Sequence, residues 1–303
     1  MSIEIDSKRG KEVAELLYSS FSTVGIHGRT EMPESIEPKG VKRGSLEHLL
    51  FITLTVSIDY QRDAPALWES SRKTFEDAET RYLFHPRSLY EAPVGKTVED
   101  MQEYKLSRKP RRDASIWRTV GVTFYKKWGG DPRNFLQDCN WDSLLILRHL
   151  REDTHLDKRR PVSDYPNLRG PKLGPLWLRM LRDNVGVTQL CNLERVSIPV
   201  DRHVARATLS TGVVRGSIEV RLGEPFKDII RKAWFESVKG LRAKNRPMIA
   251  LDVDEPLWHL SKYGCTKRDK TVGYCAANSE CEARDFCVKG KVRIENGFVE
   301  LET

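Results

Sequence analysis

No apolar run in this chain approaches the ~20 residues that span a bilayer. The opening seventeen residues lack both the apolar stretch and the small-residue cleavage site of a secretory signal. These absences predict a protein with no membrane partner, located in the cytoplasm, where disulfides are uncommon. Glycine (20 residues) and proline (15) are too sparse for a collagen-like or low-complexity chain. There is no internal repeat. Cysteine is scarce, six in 303 residues, and unevenly placed, because four fall within the 23 residues from Cys265 to Cys287. What is present completes the frame. Seven Trp, ten Phe and nine Tyr exclude general disorder. A chain of 303 residues can bury a substantial core, in one large domain or two. Lys and Arg total 51 against 43 Asp and Glu, a net charge of +8 that suggests a polyanionic partner, nucleic acid being the commonest.

Apolar spacing predicts helices over residues 8–21, 63–75, 113–128, 141–151, 175–183, 200–210, 225–241 and 256–263. Asp113 reads as the cap of the third, and Gly129-Gly130 stops it. Pro175 reads as a first helical residue. Residues 46–58 are ambiguous, since β-branched content favours a strand and length a helix. Residues 22–45 read as a loop and 153–160 as a charged linker. The tail carries a hairpin signal at Glu295-Asn296-Gly297. The fold class is therefore all-α.

Three segments carry chemistry. Cys265, Cys275, Cys281 and Cys287 are spaced C-x9-C-x5-C-x5-C, and a loop of that size can wrap one metal centre. Zinc sites usually come as paired knuckles of closely spaced cysteines, and none occurs here. The wider intervals suit a [4Fe–4S] cluster, with zinc as the alternative. Basic residues around the loop, among them Lys262, Lys267 and Arg268, form either a solvated face or a metal-pinned set of cations for a phosphate backbone. The second segment, from Asn167 to Leu181, is a Gly-containing turn opening into an amphipathic helix, a geometry that turns backbone N–H groups toward a phosphate. The third, Ile198-Pro199-Val200-Asp201-Arg202-His203, puts an aspartate at a helix start, where it serves as a cap or as a catalyst.

In this order the three segments resemble the helix-hairpin-helix DNA glycosylase superfamily, in its iron–sulfur branch typified by endonuclease III and the adenine-specific mismatch glycosylases. The family hairpin is matched by Leu168-Arg169-Gly170-Pro171-Lys172-Leu173-Gly174, and its V-D-x-H motif by Val200-Asp201-Arg202-His203. A helix runs into the first cluster cysteine from Leu257 to Cys265. Softer similarity covers Glu47 to Gln61 and Arg111 to Val120, and it makes residues 46–58 a helix.

The resemblance implies a two-lobed fold. A six-helix barrel lobe would span 46–195, with its hairpin near 160–182, and a second lobe would span 196–303, with the [4Fe–4S] loop at 265–287. Residues 1–45 would be an extension packed on the cluster lobe. It also implies a monomeric base-excision DNA glycosylase, associated with the nucleoid. Its partner would be double-stranded DNA carrying a damaged, modified or mispaired base. Asp201 would be the catalytic carboxylate, Leu168, Gly170, Lys172 and Gly174 the DNA-binding turn, and Asp59, Tyr60 and Gln61 the pocket or gap-filling loop. Departures from the family refine this. Gly174 stands where lyase-competent members carry a nucleophilic lysine, so the resemblance implies a monofunctional enzyme, with Lys172 as a displaced nucleophile in the bifunctional alternative. Lys172 replaces a glycine, Thr53 stands about where adenine-specific members place a catalytic glutamate, and only the interval from Cys281 to Cys287 keeps the family's spacing. A non-catalytic iron–sulfur DNA-binding protein is the remaining alternative.

Overall fold

A computed structural model describes residues 3–269, 275 and 280–303. The chain forms two units, Met1–Glu31 with Glu194–Thr303 and Met32–Leu193. It opens with strand β1 (Ile3–Ile5) and helix α1 (Ser7–Thr23). Asp6 caps α1 by accepting from the Arg9 amide at 2.9 Å.

The second unit then supplies eight helices among the described residues: α2 (Leu46–Ser57), α3 (Ala64–Glu76), α4 (Pro86–Glu91), α5 (Val94–Glu103), α6 (Pro110–Trp128), α7 (Pro132–Asp138), α8 (Ser143–Glu152) and α9 (Leu173–Met180). Helix α2 is buried on every face from His48 to Ser57, which explains its ambiguous pattern: a central helix has no polar stripe to show a period. Around it runs a continuous aromatic core. Phe51 meets Trp68 at 5.7 Å, Phe84 meets Trp117 edge-on at 5.1 Å, and Phe135 meets Tyr165 at 5.1 Å.

Several boundaries differ from the sequence reading. Helix α6 begins at Pro110, so Asp113 lies inside the first turn and not at the cap. Its carboxylate still caps backwards, accepting from the amides of Arg108 at 3.0 Å and Lys109 at 2.9 Å. The charged linker is a hairpin, β2 (Thr154–Asp157) paired with β3 (Arg160–Ser163). Residues 32–45 belong with the helical unit because Glu34 forms a fully buried ion pair with Arg179 of α9, and Asn184 donates to Ser35 at 3.1 Å.

The first unit resumes with α10 (Arg202–Ser210), β4 (Val214–Arg221), α11 (Glu224–Ser237), the short pair β5 (Arg242–Ala243) and β6 (Arg246–Pro247), α12 (Asp254–His259), β7 (Lys291–Glu295) and β8 (Phe298–Glu302). A four-stranded antiparallel sheet of order β1-β4-β8-β7 joins the helices and brings both ends of the chain together. The Asn296-Gly297 turn, with both residues at positive φ, closes the β7–β8 hairpin as the sequence signal indicates. Val214, Ile218, Val292, Val299 and Leu301 face inward onto α1, α10 and α11 in one core with Trp234. The sheet adds to a molecule whose architecture is helical. No helix among the described residues is long and apolar enough to cross a membrane.

Replacing Arg179 with methionine should strand the Glu34 carboxylate in the core and lower stability by ~3–5 kcal/mol. The double change Glu34→Leu with Arg179→Met should recover most of that loss. Urea denaturation of both variants checks the pair.

Candidate functional site

In the helical unit, the turn from Tyr165 to Lys172 is built by short-range bonds. The Arg169 amide reaches Tyr165 O at 3.0 Å, and the Gly170 amide reaches Asn167 O at 2.9 Å. A Cβ on Gly170 would lie 3.2 Å from that carbonyl, so the turn is tight against its own backbone. Leu168 is fully buried and holds the turn on the core. Asn167 donates to Ser57 O at 2.9 Å, and the Lys172 ammonium donates to Asp59 O at 3.2 Å. The structure therefore brings the turn and the Asp59–Gln61 loop together, two features the sequence places more than a hundred residues apart.

That loop is itself secured. Tyr60 donates to Asp113 at 2.6 Å, and burial followed by this bond pushes its phenol up to about 12. Burial pushes the Asp113 carboxyl up, but Tyr60, the Lys109 amide, Ser107 and the Arg108 amide together hold it below the usual range. Arg108 donates to Gln61 O at 2.8 Å, and Gln61 stands exposed at φ 51°. Asp59 is buried. Thr53 is also buried and accepts the Trp177 indole N–H at 3.0 Å, so its hydroxyl serves packing between α2 and α9.

Gly174 lies in the first turn of α9. A Cβ there would stand 2.8 Å from both Leu147 Cδ2 and Leu168 O. The backbone carbonyl cannot swing away cheaply, so this site has closed around the missing side chain.

In the other unit, Asp201 is the N-cap of α10. Its Oδ1 accepts from the amides of His203 at 2.7 Å and Val204 at 2.9 Å, which fixes the carboxylate at the positive end of the helix dipole. His203 is buried, with Nδ1 3.2 Å from Ser261 Oγ, and burial lowers its pKa to about 4. It is neutral at neutral pH and part of the packing.

The four cysteines collect beside α10. Cys265 is half-buried, and desolvation, then Cys281, Cys287 and Cys275, push its thiol up to about 12. Burial pushes Cys281 up to about 11. Two arginines serve this cluster: Arg9, which sequence reasoning missed, and Arg268, which the sequence suggests for a solvated face or a phosphate contact but which is buried against the cysteines. Buried Arg268 donates to Cys287 Sγ at 3.1 Å and to the Val288 and Gly290 carbonyls at 2.6 and 2.7 Å. Arg9 of α1 donates to Phe286 O and Thr211 O, both at 2.6 Å. Thiolates crowded this way repel one another unless a cation binds them, and guanidiniums beside them offset residual negative charge. This donor set suits a metal centre ligated by thiolates. His27, Cys281 and Glu282 also offer ligand atoms within 4.8 Å of one another. His27 comes from the N-terminal segment, so no local spacing could have announced it. Residues 270–274 and 276–279 of the loop lie outside the described residues.

Comparison with known proteins defines the class of fold. The chain has the helix-hairpin-helix fold of endonuclease III. It matches endonuclease III in a non-covalent complex with DNA at a TM-score of 0.53 and 13% identity, over 93% of this chain and 98% of that one. It matches endonuclease III trapped as a covalent intermediate with DNA, an estranged-adenine complex, at 0.52 and 12% identity, over 93% and 99%. No family model and no curated protein matches the chain.

The buried histidines set an acid limit. His203 and His259 both have folded pKa values lowered by burial to about 4, below the unfolded value near 6.5. A lowered folded value means that stability is complete above pH 6.5 and declines as pH falls from there through about 4, by roughly 3 kcal/mol per histidine. Thermal midpoints between pH 7 and 4 should fall accordingly. His259→Phe, which keeps the ring contacts with Phe21 and Trp258, should flatten the curve.

Proposed function

We propose that this chain is a monofunctional DNA glycosylase of base excision repair, with Asp201 as its catalytic carboxylate. The observation that carries the reading is the Asp201 carboxylate, held by two backbone amides at the start of α10 in a chain with the fold of endonuclease III. Both endonuclease III structures are complexes with DNA. The net charge of +8 suits the same partner.

The chemistry follows from the residues. A target base leaves the stack at a cost of a few kcal/mol. Its bond to C1′ of the deoxyribose breaks, the bonding pair departs with the base, and the sugar acquires oxocarbenium character. A preorganised carboxylate stabilises that cation and accepts a proton from the attacking water, which completes an abasic site. The turn from Leu168 to Gly174, whose Leu168, Arg169, Gly170 and Gly174 amides are bonded within the chain, would lie against a backbone phosphate with the cation of Lys172 beside it. Asp59, Tyr60 and Gln61 would border the flipped base or the gap it leaves. The lyase alternative needs an amine to form a Schiff base with C1′. Gly174 offers none, and the Lys172 ammonium is engaged with Asp59 O.

Cys265, Cys275, Cys281 and Cys287 would hold a [4Fe–4S] cluster, which supplies a structural staple for the loop. Arg268 and Arg9 would offset its charge and tie it to α1 and α10. Zinc in the same four-sulfur site is the alternative.

Labelled duplexes carrying a panel of damaged or mispaired bases test the enzyme. Wild type should give strand breaks only after hot alkali, and Asp201→Asn should lower the rate by on the order of 10²–10³-fold. Breaks without alkali would establish a lyase and point to Lys172. Unaltered activity in Asp201→Asn would remove the assignment of the carboxylate. A full panel without breaks, with duplex binding intact, would favour a non-catalytic binding protein.

For the metal, protein purified without oxygen should be brown and carry about four iron atoms per chain. Cys287→Ser and Arg268→Ala should each lower the iron content. A colourless protein containing one zinc would replace the cluster with the alternative.

A further inference from the structure

Between α8 and the Tyr165–Lys172 turn stands an arm that the function described above does not use. Strands β2 and β3 pair Thr154 with Ser163, His155 with Val162, Leu156 with Pro161 and Asp157 with Arg160. Seven of these eight residues are exposed, and Leu156 retains 76% of its free surface. A two-stranded hairpin without a third strand or a covering helix is marginal by itself in water. Among the described residues, the side-chain hydrogen bonds that anchor it lie at its base. Asp164 is buried, accepts from the Lys127 ammonium, and lies 2.7 Å from His155 Nδ1. The Asp164 amide closes the base on Asp153 O at 3.1 Å.

The tip is chemically odd. Lys158 and Arg159 occupy the two turn positions at φ 47° and 69°. Two-residue turns of this kind favour Asn-Gly, because both residues must enter the left-handed region. Placing two long β-carbon-bearing side chains there strains the backbone. With Arg160 next in line, three consecutive exposed cations crown the arm, and none of them forms an ion pair among the described residues. The one acid in the arm, Asp157, sits opposite Arg160. The strained turn holds three exposed cations outward, where a polyanion would meet them.

We propose that the β2–β3 arm is a second DNA-binding element, whose Lys158, Arg159 and Arg160 contact backbone phosphates of double-stranded DNA outside the reach of the turn. This rests on the reading of the chain as a DNA-binding enzyme. The arm leads directly into the turn, three residues separating Ser163 from Asn167. Four residues of strand project the tip by ~13 Å. A two-stranded ribbon matches the width of the DNA major groove. The exposed Leu156–Pro161 pair would then lie against the groove wall.

The full chain is titrated with a labelled, undamaged duplex at several salt concentrations. The triple variant Lys158→Ala, Arg159→Ala, Arg160→Ala should bind less tightly and lower the slope of log affinity against log salt by about 2–3, from ~0.9 per lost phosphate contact. A second variant, Lys158→Asn with Arg159→Gly, separates binding from folding. It installs the favoured turn, so its thermal midpoint should hold or rise while duplex affinity falls. An unchanged slope in both variants, with wild type binding the duplex, would overturn the arm proposal and leave the glycosylase reading standing. If wild type binds no duplex at any salt, both fall. Capture of a protein partner lost in the triple variant, with the DNA slope unchanged, would reassign the arm to protein docking and equally overturn the proposal.

Discussion

The hydrogen bonds from two backbone amides to the Asp201 carboxylate fix the position on which the proposed chemistry depends. A carboxylate on a surface loop samples many rotamers. One that caps a helix is confined to the geometry that satisfies the first turn, and it keeps its charge beside the positive end of the helix. The restraint is only as firm as the helix that provides it. Helix α10 is anchored through Val204, Ala205, Ala207 and Leu209, each buried, and through Thr208, which accepts the Trp234 indole N–H at 2.8 Å. At its far end the Ser210 carbonyl accepts the Val288 amide at 2.9 Å, one residue beyond Cys287. The carboxylate and the cysteine loop thus bear on opposite ends of one nine-residue helix. A metal staple at the cysteines would stiffen the end of α10 remote from the proposed chemistry, which would give a structural cluster a reason to exist in an enzyme of the proposed kind, whose reaction needs no electrons.

Local chemistry was legible in the sequence and long-range pairing was not. Asp201 and the hairpin at Asn296-Gly297 announce themselves within a few residues, because caps and tight turns are set by neighbouring backbone. Helix α2 needed the family resemblance, since burial on all sides erases the period that betrays an exposed helix. Strand β4 has Val214 and Ile218 inward among residues of mixed exposure, too weak an alternation to stand out in a helical chain. Arg9 and Phe286, or His27 and Glu282, meet across more than 250 residues, and nothing in the spacing of either partner records the contact. Asp113 was readable as a helix-start residue, but the three-residue shift of the boundary turns it from a cap into the acceptor that holds Tyr60.

The hairpin turn shows how a missing side chain becomes built into packing. A lysine at position 174 would require space now taken by Leu147 and by the Leu168 carbonyl. Placing one there would push a backbone oxygen that belongs to the turn, so the change would disturb the turn together with adding an amine. Lys172 is no substitute in place, because it extends toward the Asp59 carbonyl and ties the turn to the loop. A single cation therefore has a bracing role between two elements that would both touch DNA, and neutralising it should loosen the loop as well as remove a charge.

The same economy separates the turn from the arm. At the turn, glycine would let the DNA backbone approach closely, and the proposed recognition would depend on shape. At the arm, a strained turn holds long side chains outward, and the proposed recognition would depend on charge, so salt should weaken it first. A protein that searches undamaged duplex for a rare base gains from having both. Contacts dominated by charge would hold such a chain near any sequence and release with modest cost, whereas the Asp201 carboxylate, in the proposed role, would act only where the duplex yields a base.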